Sequence, residues 1–144
     1  MKGKFIIYLS LALFFGFITA HAFYTEYQKS INNTKYNAYL IQIGSYKGDD
    51  LEINTDKYLV LKEDGVYNVY AGITTNLSNA SKIKKLYEDQ QIHSYIKPTV
   101  IDNIEFISNL EQYDILLSEV DDEDNLISIN DVIISSYEEM VLEK

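Results

Sequence analysis

The clearest alternation of apolar and polar positions lies near the middle of the chain. Val66, Asn68 and Tyr70 alternate with Tyr67, Val69 and Ala71, which predicts a β-strand with two different faces. We expect Gly72 to end this strand, because glycine is the residue best tolerated where the backbone turns sharply.

A helix and a second strand are predicted directly after this strand. Apolar residues recur at spacings of three and four, which is the pattern of an amphipathic helix, with Asn76 or Ser78 available as its N-cap. The apolar face consists of Leu77, Ala80, Ile83, Leu86 and Tyr87. Residues 93–97 are predicted to form the next strand, ended by Pro98, which lacks a backbone N–H.

The preceding segment has a weaker version of the same pattern. Tyr39, Ile41 and Ile43 predict a strand that Gly44 ends, and Gly44 lies 28 residues before Gly72. This spacing indicates an internal repeat of strand, turn and helix. Residues 48–57 contain few apolar side chains, so the first helix is expected to be degenerate, a single turn or a loop.

Residues 58–61 predict another strand, and Asp64-Gly65 predicts a hairpin turn into Val66, because Asp-Gly readily adopts the positive φ angles required. The predicted fold is therefore α+β, with the order β-α-β-β-α-β and a degenerate first helix. Two helices would cover one face of a four-stranded antiparallel sheet and leave the other face open.

The carboxy-terminal region, residues 102–144, predicts two helices. Asp102 and Glu105 resemble a capping box at the start of a helix over 102–118, and a polar break at 121–125 precedes a helix ending near Leu142. We expect a helical hairpin packed on the sheet domain. The alternative is a docking surface for a partner protein of the cell envelope, and it expects the sheet to stay folded without these helices.

The amino-terminal region predicts a membrane segment. Lys2 and Lys4 precede the apolar run 5–23, which as a helix spans roughly 28 Å, about the thickness of a bilayer core. The lysines orient the amino terminus inwards and the body outwards. Ala20-His21-Ala22 also suits signal peptidase, so residues 1–23 are either a signal anchor or a signal peptide cleaved after Ala22. The length of the apolar run favours the anchor, with residues 24–36 as a linker and the chain in the cell membrane as a single-pass protein.

Charge and composition narrow the possible functions. The net charge is −10, and because residues 1–35 carry +3, the remainder carries −13. Such a body repels phosphate backbones, so nucleic acid is not an expected partner. No cysteine is present, which excludes disulfides and thiolate metal sites.

No catalytic or metal-binding motif is found. His21 lies in the apolar run and His93 is predicted in a strand, while the acidic run at 121–125 lacks the glycine and spacing of a calcium loop. The sequence therefore predicts no enzyme, no cofactor and no metal.

Two stretches resemble the SPOR domain, the sporulation-related repeat of bacterial envelope proteins. They read LIQIGSYKG at 40–48, with the Gln-x-Gly of Gln42 to Gly44, and VYNVYAGITTNLSNASKIKKLYEDQQIHSYIK at 66–97. The resemblance covers about residues 37–101. It implies a ferredoxin-like fold, an extracytoplasmic domain on a single-pass membrane protein, and binding of peptidoglycan glycan strands, especially strands stripped of stem peptides.

The glycan would lie on the open face of the sheet. If Ile41 and Val69 face the helices, the opposite face carries Leu40, Gln42, Asn68 and Tyr70. Aromatic rings and amides suit the C–H faces and hydroxyls of sugars. The resemblance makes Gln42 the first candidate, followed by Tyr70 and Asn68, with Ser45 and Tyr46 at the rim.

Two functions follow from these observations. The first is a membrane-tethered peptidoglycan-binding module in envelope remodelling, cell division or sporulation. The alternative is an extracytoplasmic adaptor that binds a protein through residues 102–144 and has no affinity for glycan.

Overall fold

The computed structural model describes residues 10, 12–25 and 36–143, which belong to two compact units, Met1–Lys35 and Tyr36–Lys144. In the first unit, residues 12–25 form helix α1. Among the described residues, no helix is both long and apolar enough to cross a bilayer. The predicted membrane segment includes residues 5–9 and 11, and the predicted linker includes residues 26–35, all of which lie outside the described residues. The transmembrane helix therefore stays a prediction.

The second unit is an α+β body built on a four-stranded antiparallel sheet, as predicted. Its elements are β1 (Ala38–Tyr46), β2 (Leu59–Glu63), β3 (Val66–Thr74), α2 (Leu77–Asp89), β4 (Tyr95–Thr99), α3 (Ile104–Glu119) and α4 (Glu123–Leu142). The strands lie in the order β2-β3-β1-β4, so β1 and β3 are central and β2 and β4 are the edges. Residues 47–58 contain no helix, in agreement with the degenerate first helix expected there.

The hairpin between β2 and β3 is confirmed. Asp64 and Gly65 have φ angles of 50° and 78°, and Glu63 pairs with Val66 across the turn. Both central residues therefore adopt the left-handed region that a two-residue hairpin loop requires.

The expectation that Gly44 and Gly72 end their strands is wrong, because β1 and β3 continue through them. A Cβ on Gly44 would lie 2.6 Å from Cε2 of Tyr46. A Cβ on Gly72 would lie 3.0 Å from both Ile41 Cγ1 and Ile83 Cγ2. At Gly72 a side chain would clash with packed residues of the core, whereas at Gly44 it would displace the ring of Tyr46.

Pro98 does not end β4 either. It pairs with Tyr39 inside the strand, which begins at Tyr95 and not at His93. A proline can occupy this position because β4 is an edge strand, where one side of the backbone has no strand to bond.

Helix α2 is bounded by local hydrogen bonds at both ends. The Asn76 side chain caps the amino terminus by accepting bonds from the backbone N–H groups of Ser78 and Asn79, at 2.8 and 3.2 Å. At the other end Gln91 has a φ of 63°, and Ile92 N–H donates to the Tyr87 carbonyl oxygen at 2.9 Å. This is a Schellman motif with a glutamine at the position where glycine is usual.

Helices α3 and α4 pack on each other and on β3, which confirms the predicted helical hairpin. The N-cap of α3 is Asn103, which accepts from Phe106 N–H at 2.9 Å, so the expected start at Asp102 is one residue early. Their buried apolar side chains are Phe106, Leu110, Leu117, Leu126, Ile133, Ile134 and Tyr137. These residues extend the core of the sheet.

A buried carboxylate joins α3 to the turn between β3 and α2. Asp114 accepts from the backbone N–H of Thr75 at 2.7 Å and from its hydroxyl at 2.6 Å. It also accepts bonds from Thr74 Oγ1 and, at 3.2 Å, from Asn79 Nδ2. The four donors compensate for removing this charge from water.

The described part of the body has its own hydrophobic core and its own sheet. Every buried apolar residue of the described chain lies between Ala38 and Tyr137, and the four strands pair only with one another. Among the described residues, the apolar core of the body is therefore formed entirely by residues 38–137.

Candidate binding surface on the sheet

Two of the predicted site residues are not available for binding. The expectation that Leu40 and Tyr70 project from an open face is wrong, since their side chains are 4% and 0% exposed. Both belong to the core cluster that includes Phe106 and Tyr137 of the carboxy-terminal helices. The helices thus cover one end of the face that the sequence predicted to be open.

The predicted proximity of Gln42 and Asn68 is present. Gln42 is the cross-strand partner of Tyr70, and its Nε2 donates to Asn68 Oδ1 at 3.4 Å and to the Gly44 carbonyl oxygen at 3.3 Å. The pairing of β1 with β3 is irregular on both sides of Gln42, leaving Ile43 and Ala71 without direct partners. Such bulges redirect neighbouring side chains. Gln42 and Asn68 are both half-buried at this position.

Asn68 connects this pair to a charged cluster. Its Nδ2 donates to Glu63 Oε2 at 2.6 Å, and Lys97 Nζ donates to the same oxygen at 3.0 Å. The Tyr70 hydroxyl lies between them, accepting from Lys97 at 2.7 Å and donating to Glu63 at 3.2 Å. The result is a continuous polar network across all four strands, which we call the sheet network: Gln42, Asn68, Glu63, Tyr70 and Lys97.

The charges of the sheet network shift the pKa values of its members. The hydrogen bond from Lys97 holds the pKa of Glu63 below its ordinary value of 4.5. Burial raises the pKa of Tyr70, so its hydroxyl keeps its proton. For Lys97, burial acts to lower the pKa, but the bonds to Tyr70 and Glu63 outweigh it and the pKa is raised. The cluster is therefore a lysine–glutamate ion pair bridged by a neutral phenol.

Tyr95 is a residue of this surface that the sequence patterns did not single out. It pairs with Gln42 on the β4 side, and cross-strand partners lie on the same face of a sheet. Its side chain is 66% exposed, whereas Tyr70 on the other side of Gln42 is buried. Only the register of β4 identifies this tyrosine among the thirteen of the chain.

Ser45 and Tyr46 lie at the end of β1, beyond the sheet network. Ser45 is exposed and pairs with Asn68, which agrees with a rim position. Tyr46 is engaged elsewhere, because its hydroxyl donates to the Glu52 carbonyl oxygen at 2.7 Å and its ring lies against Gly44. It ties the loop that follows β1 to the strand.

The surface has the chemistry of a polar binding site. Gln42 and Asn68 supply amide groups, the Lys97 and Glu63 side chains are 40% and 45% exposed, and Tyr95 supplies an aromatic ring. In the described part of the chain, no group of three or more histidine, aspartate or glutamate side chains is arranged to hold a metal ion. The groups present can hydrogen-bond hydroxyls and stack against a flat apolar ligand face.

The fold and this surface define a small α+β protein with a polar, partly aromatic patch on an antiparallel sheet. Comparison of the chain with models of protein families, with curated proteins and with solved structures finds no match.

Proposed function

We propose that the body of this protein binds glycan strands of peptidoglycan through Tyr95 and the accessible members of the sheet network, which are Gln42, Asn68, Glu63 and Lys97. The observation that carries the proposal is the row formed by the amides of Gln42 and Asn68 beside the exposed ring of Tyr95. A pyranose presents hydroxyls at its edge and C–H groups on its faces. The amides suit the edge and the tyrosine suits a face.

The proposal extends to the family and the cellular setting. The strand order β2-β3-β1-β4 supports a ferredoxin-like fold of the SPOR type, with the first helix replaced by the 47–58 loop. In this proposal, the amino-terminal apolar segment tethers the body outside the cell membrane, where peptidoglycan is accessible. The protein would act there as a binding module in envelope remodelling, division or sporulation.

Sedimentation with purified cell-wall sacculi tests this function. Residues 36–144 are expected to sediment with the sacculi, and amidase treatment, which removes stem peptides, is expected to increase the bound fraction. If the protein stays in the supernatant with both preparations, the proposed function is wrong.

Substitutions identify the surface involved. Gln42→Ala removes amide hydrogen bonds worth about 0.5–1.5 kcal/mol each, so binding should weaken roughly 3- to 10-fold. Tyr95→Ala should weaken it by a similar factor through loss of stacking. Tyr58→Ala is the matched control, because this partly exposed tyrosine directly precedes β2 at the opposite edge of the sheet. An equal loss in all three variants would exclude the sheet network as the binding surface.

A further inference from the structure

The carboxy-terminal helices carry almost all of the negative charge of the body. Residues 102–144 contain thirteen carboxylates and one lysine, a net charge of −12, whereas residues 36–101 contain eight carboxylates and seven lysines, a net charge of −1. The glycan surface therefore lies on a nearly neutral part of the chain. The helical part presents a separate, strongly acidic surface.

Helix α3 also exposes large aliphatic side chains on that surface. Ile104, Ile115 and Leu116 are 84%, 54% and 48% exposed. Ile104 and Ile115 are eleven residues apart, which is three helical turns or about 16 Å, so they lie along one side of the helix. A surface that served only solubility would not need aliphatic residues at these positions.

Exposed glutamates lie beside and between these residues, with Glu111 on the same side of the helix as Ile104 and Ile115. Glu105, Glu111 and Glu119 are all exposed on α3. The ion pairs formed within residues 36–143 join Lys57 to Glu138, Lys82 to Asp121, Lys84 to Glu88 and Lys97 to Glu63. None of them uses a glutamate of α3. We call this set the α3 surface: Ile104, Glu105, Glu111, Ile115, Leu116 and Glu119.

The α3 surface adjoins a shallow cleft. Glu111 and Ile115 line it on one side, and Thr75 and Asn76 line it on the other. Leu77, the first residue of α2, follows Asn76 and is 54% exposed. On the side that faces α2, the cleft therefore adds polar residues and one exposed apolar residue to the α3 surface.

We propose that the α3 surface docks a lysine- or arginine-rich amphipathic helix of a partner protein. The apolar residues of such a helix would cover Ile104, Ile115 and Leu116 over three turns, and its basic residues would pair with Glu111 between them and with Glu105 and Glu119 beside them. Charge repulsion argues against two other possible partners of this surface, a second copy of the chain and an anionic membrane. Two copies of the chain would bring two segments of −12 together, and anionic lipid headgroups would meet the same repulsion.

This docking site is independent of glycan binding, since it uses no residue of the sheet network. It gives the protein two partners on different surfaces, the cell wall on the sheet and a basic protein on α3. The charge of the α3 surface would mainly accelerate and orient the encounter, while the aliphatic residues would supply the apolar contact.

A synthetic peptide of about 14 residues tests the proposal, with leucines spaced by three and four and lysines elsewhere, long enough for the three turns. Its binding to residues 36–144 is measured by fluorescence anisotropy. The control peptide has the same composition, with the leucines scrambled so that they do not share a face. We expect the patterned peptide to bind at least about tenfold more tightly, and equal affinity would overturn the proposal because charge alone would explain the binding.

Two protein variants locate the site. Ile115→Lys is expected to weaken patterned-peptide binding about tenfold or more. Val132→Lys adds the same charge at a residue of α4 that is 49% exposed, and it should change binding little. Equal losses in both variants would overturn the proposal. It would also be overturned if the protein alone eluted as a dimer and Ile115→Lys restored the monomer, because the surface would then join two copies of the chain.

Discussion

A single residue can determine how closely the helices approach the sheet. Gly72 lies in β3 where Ile83 of α2 and Asn130 of α4 both approach, and a Cβ there would lie 3.0 Å from Ile83 Cγ2 and 3.1 Å from Asn130 Oδ1. Asn130 is itself buried and donates to the carbonyl oxygen of Ala71 at 2.7 Å. The missing side chain therefore allows two helices to meet one strand.

Gly72→Ala is expected to lower the free energy of unfolding by about 1–3 kcal/mol, the usual cost of forcing an extra methyl group into a packed core. Urea unfolding followed by circular dichroism measures the change. The matched control is Gly48→Ala, where an added Cβ has no atom within 4 Å. If both variants unfold at the same urea concentration as the parent chain, the core accommodates a methyl group at Gly72 and the prediction is wrong.

The ion pair of the sheet network predicts a dependence of stability on pH. Because the bond from Lys97 lowers the pKa of Glu63, the Glu63 carboxylate stabilises the folded state above its ordinary pKa of 4.5. This contribution is lost as the pH falls below 4.5 and the folded state also takes up the proton.

The measurement compares the urea midpoints of the parent chain and Glu63→Gln across about pH 3 to pH 7. The parent should be more stable near neutral pH, and the difference should shrink below pH 4.5. Asp64→Asn, in the adjacent hairpin turn, serves as the control for removing a charge from this edge of the sheet. A difference for Glu63→Gln that did not change with pH would contradict the predicted titration.

At the scale of elements, local chemistry explains where the helices begin and end. Asn76 and Asn103 cap α2 and α3 with their own side chains, and Asp122 does the same for α4 by accepting from Asn125 N–H. These bonds involve residues two or three positions apart, so the sequence pattern contains most of the information. The strands differ, since their extent depends on partners far away in the chain.

The carboxy terminus of α2 offers a stabilising substitution. Gln91 holds a φ of 63°, where a residue with a Cβ is strained and glycine is not. Gln91→Gly is therefore expected to raise the free energy of unfolding by about 0.5–1 kcal/mol. Gln90→Gly is the control, because Gln90 has a φ of −87° and glycine there should give no gain. Thermal melting of the two variants tests this, and a loss of stability in Gln91→Gly would contradict it.

At the scale of the whole molecule, the sheet and the carboxy-terminal helices form one cooperative body. Six of the seven buried apolar side chains of α3 and α4, all except Ile134, belong to the same core cluster as Leu40, Leu59 and Tyr70. The interpretation in which the helices are a removable appendage therefore has little physical support. Removing the helices would expose a face of the sheet that is apolar at one end.

Deleting residues 102–144 is accordingly expected to unfold the sheet. Each buried apolar side chain contributes about 1.5–3 kcal/mol, so losing seven exceeds ~10 kcal/mol, which is comparable with the whole stability of a domain. Heteronuclear NMR of residues 36–101, with residues 36–144 as the folded control, tests this. Well-dispersed amide resonances from the shorter chain would refute it.

The amino-acid sequence by itself determined the elements that short-range chemistry controls. The Asp64-Gly65 hairpin, a helix cap at Asn76 or Ser78, the apolar face of α2 and the presence of two carboxy-terminal helices all follow from residues a few positions apart. Strand alternation also placed Gln42 and Asn68 on one predicted face, but their contact depends on the two register shifts around Gln42, which the sequence did not indicate.

Only the tertiary structure decided the rest. Gly44, Gly72 and Pro98 look like strand ends in sequence, but each strand continues past them because it is hydrogen-bonded to a neighbouring strand. The bond between Glu63 and Lys97 joins residues 34 positions apart, and the exposure of Tyr95 depends on the register of an edge strand. Burial of Leu40 and Tyr70 depends on where α3 and α4 pack. These features arise from long-range packing, which a local pattern of apolar and polar residues does not encode.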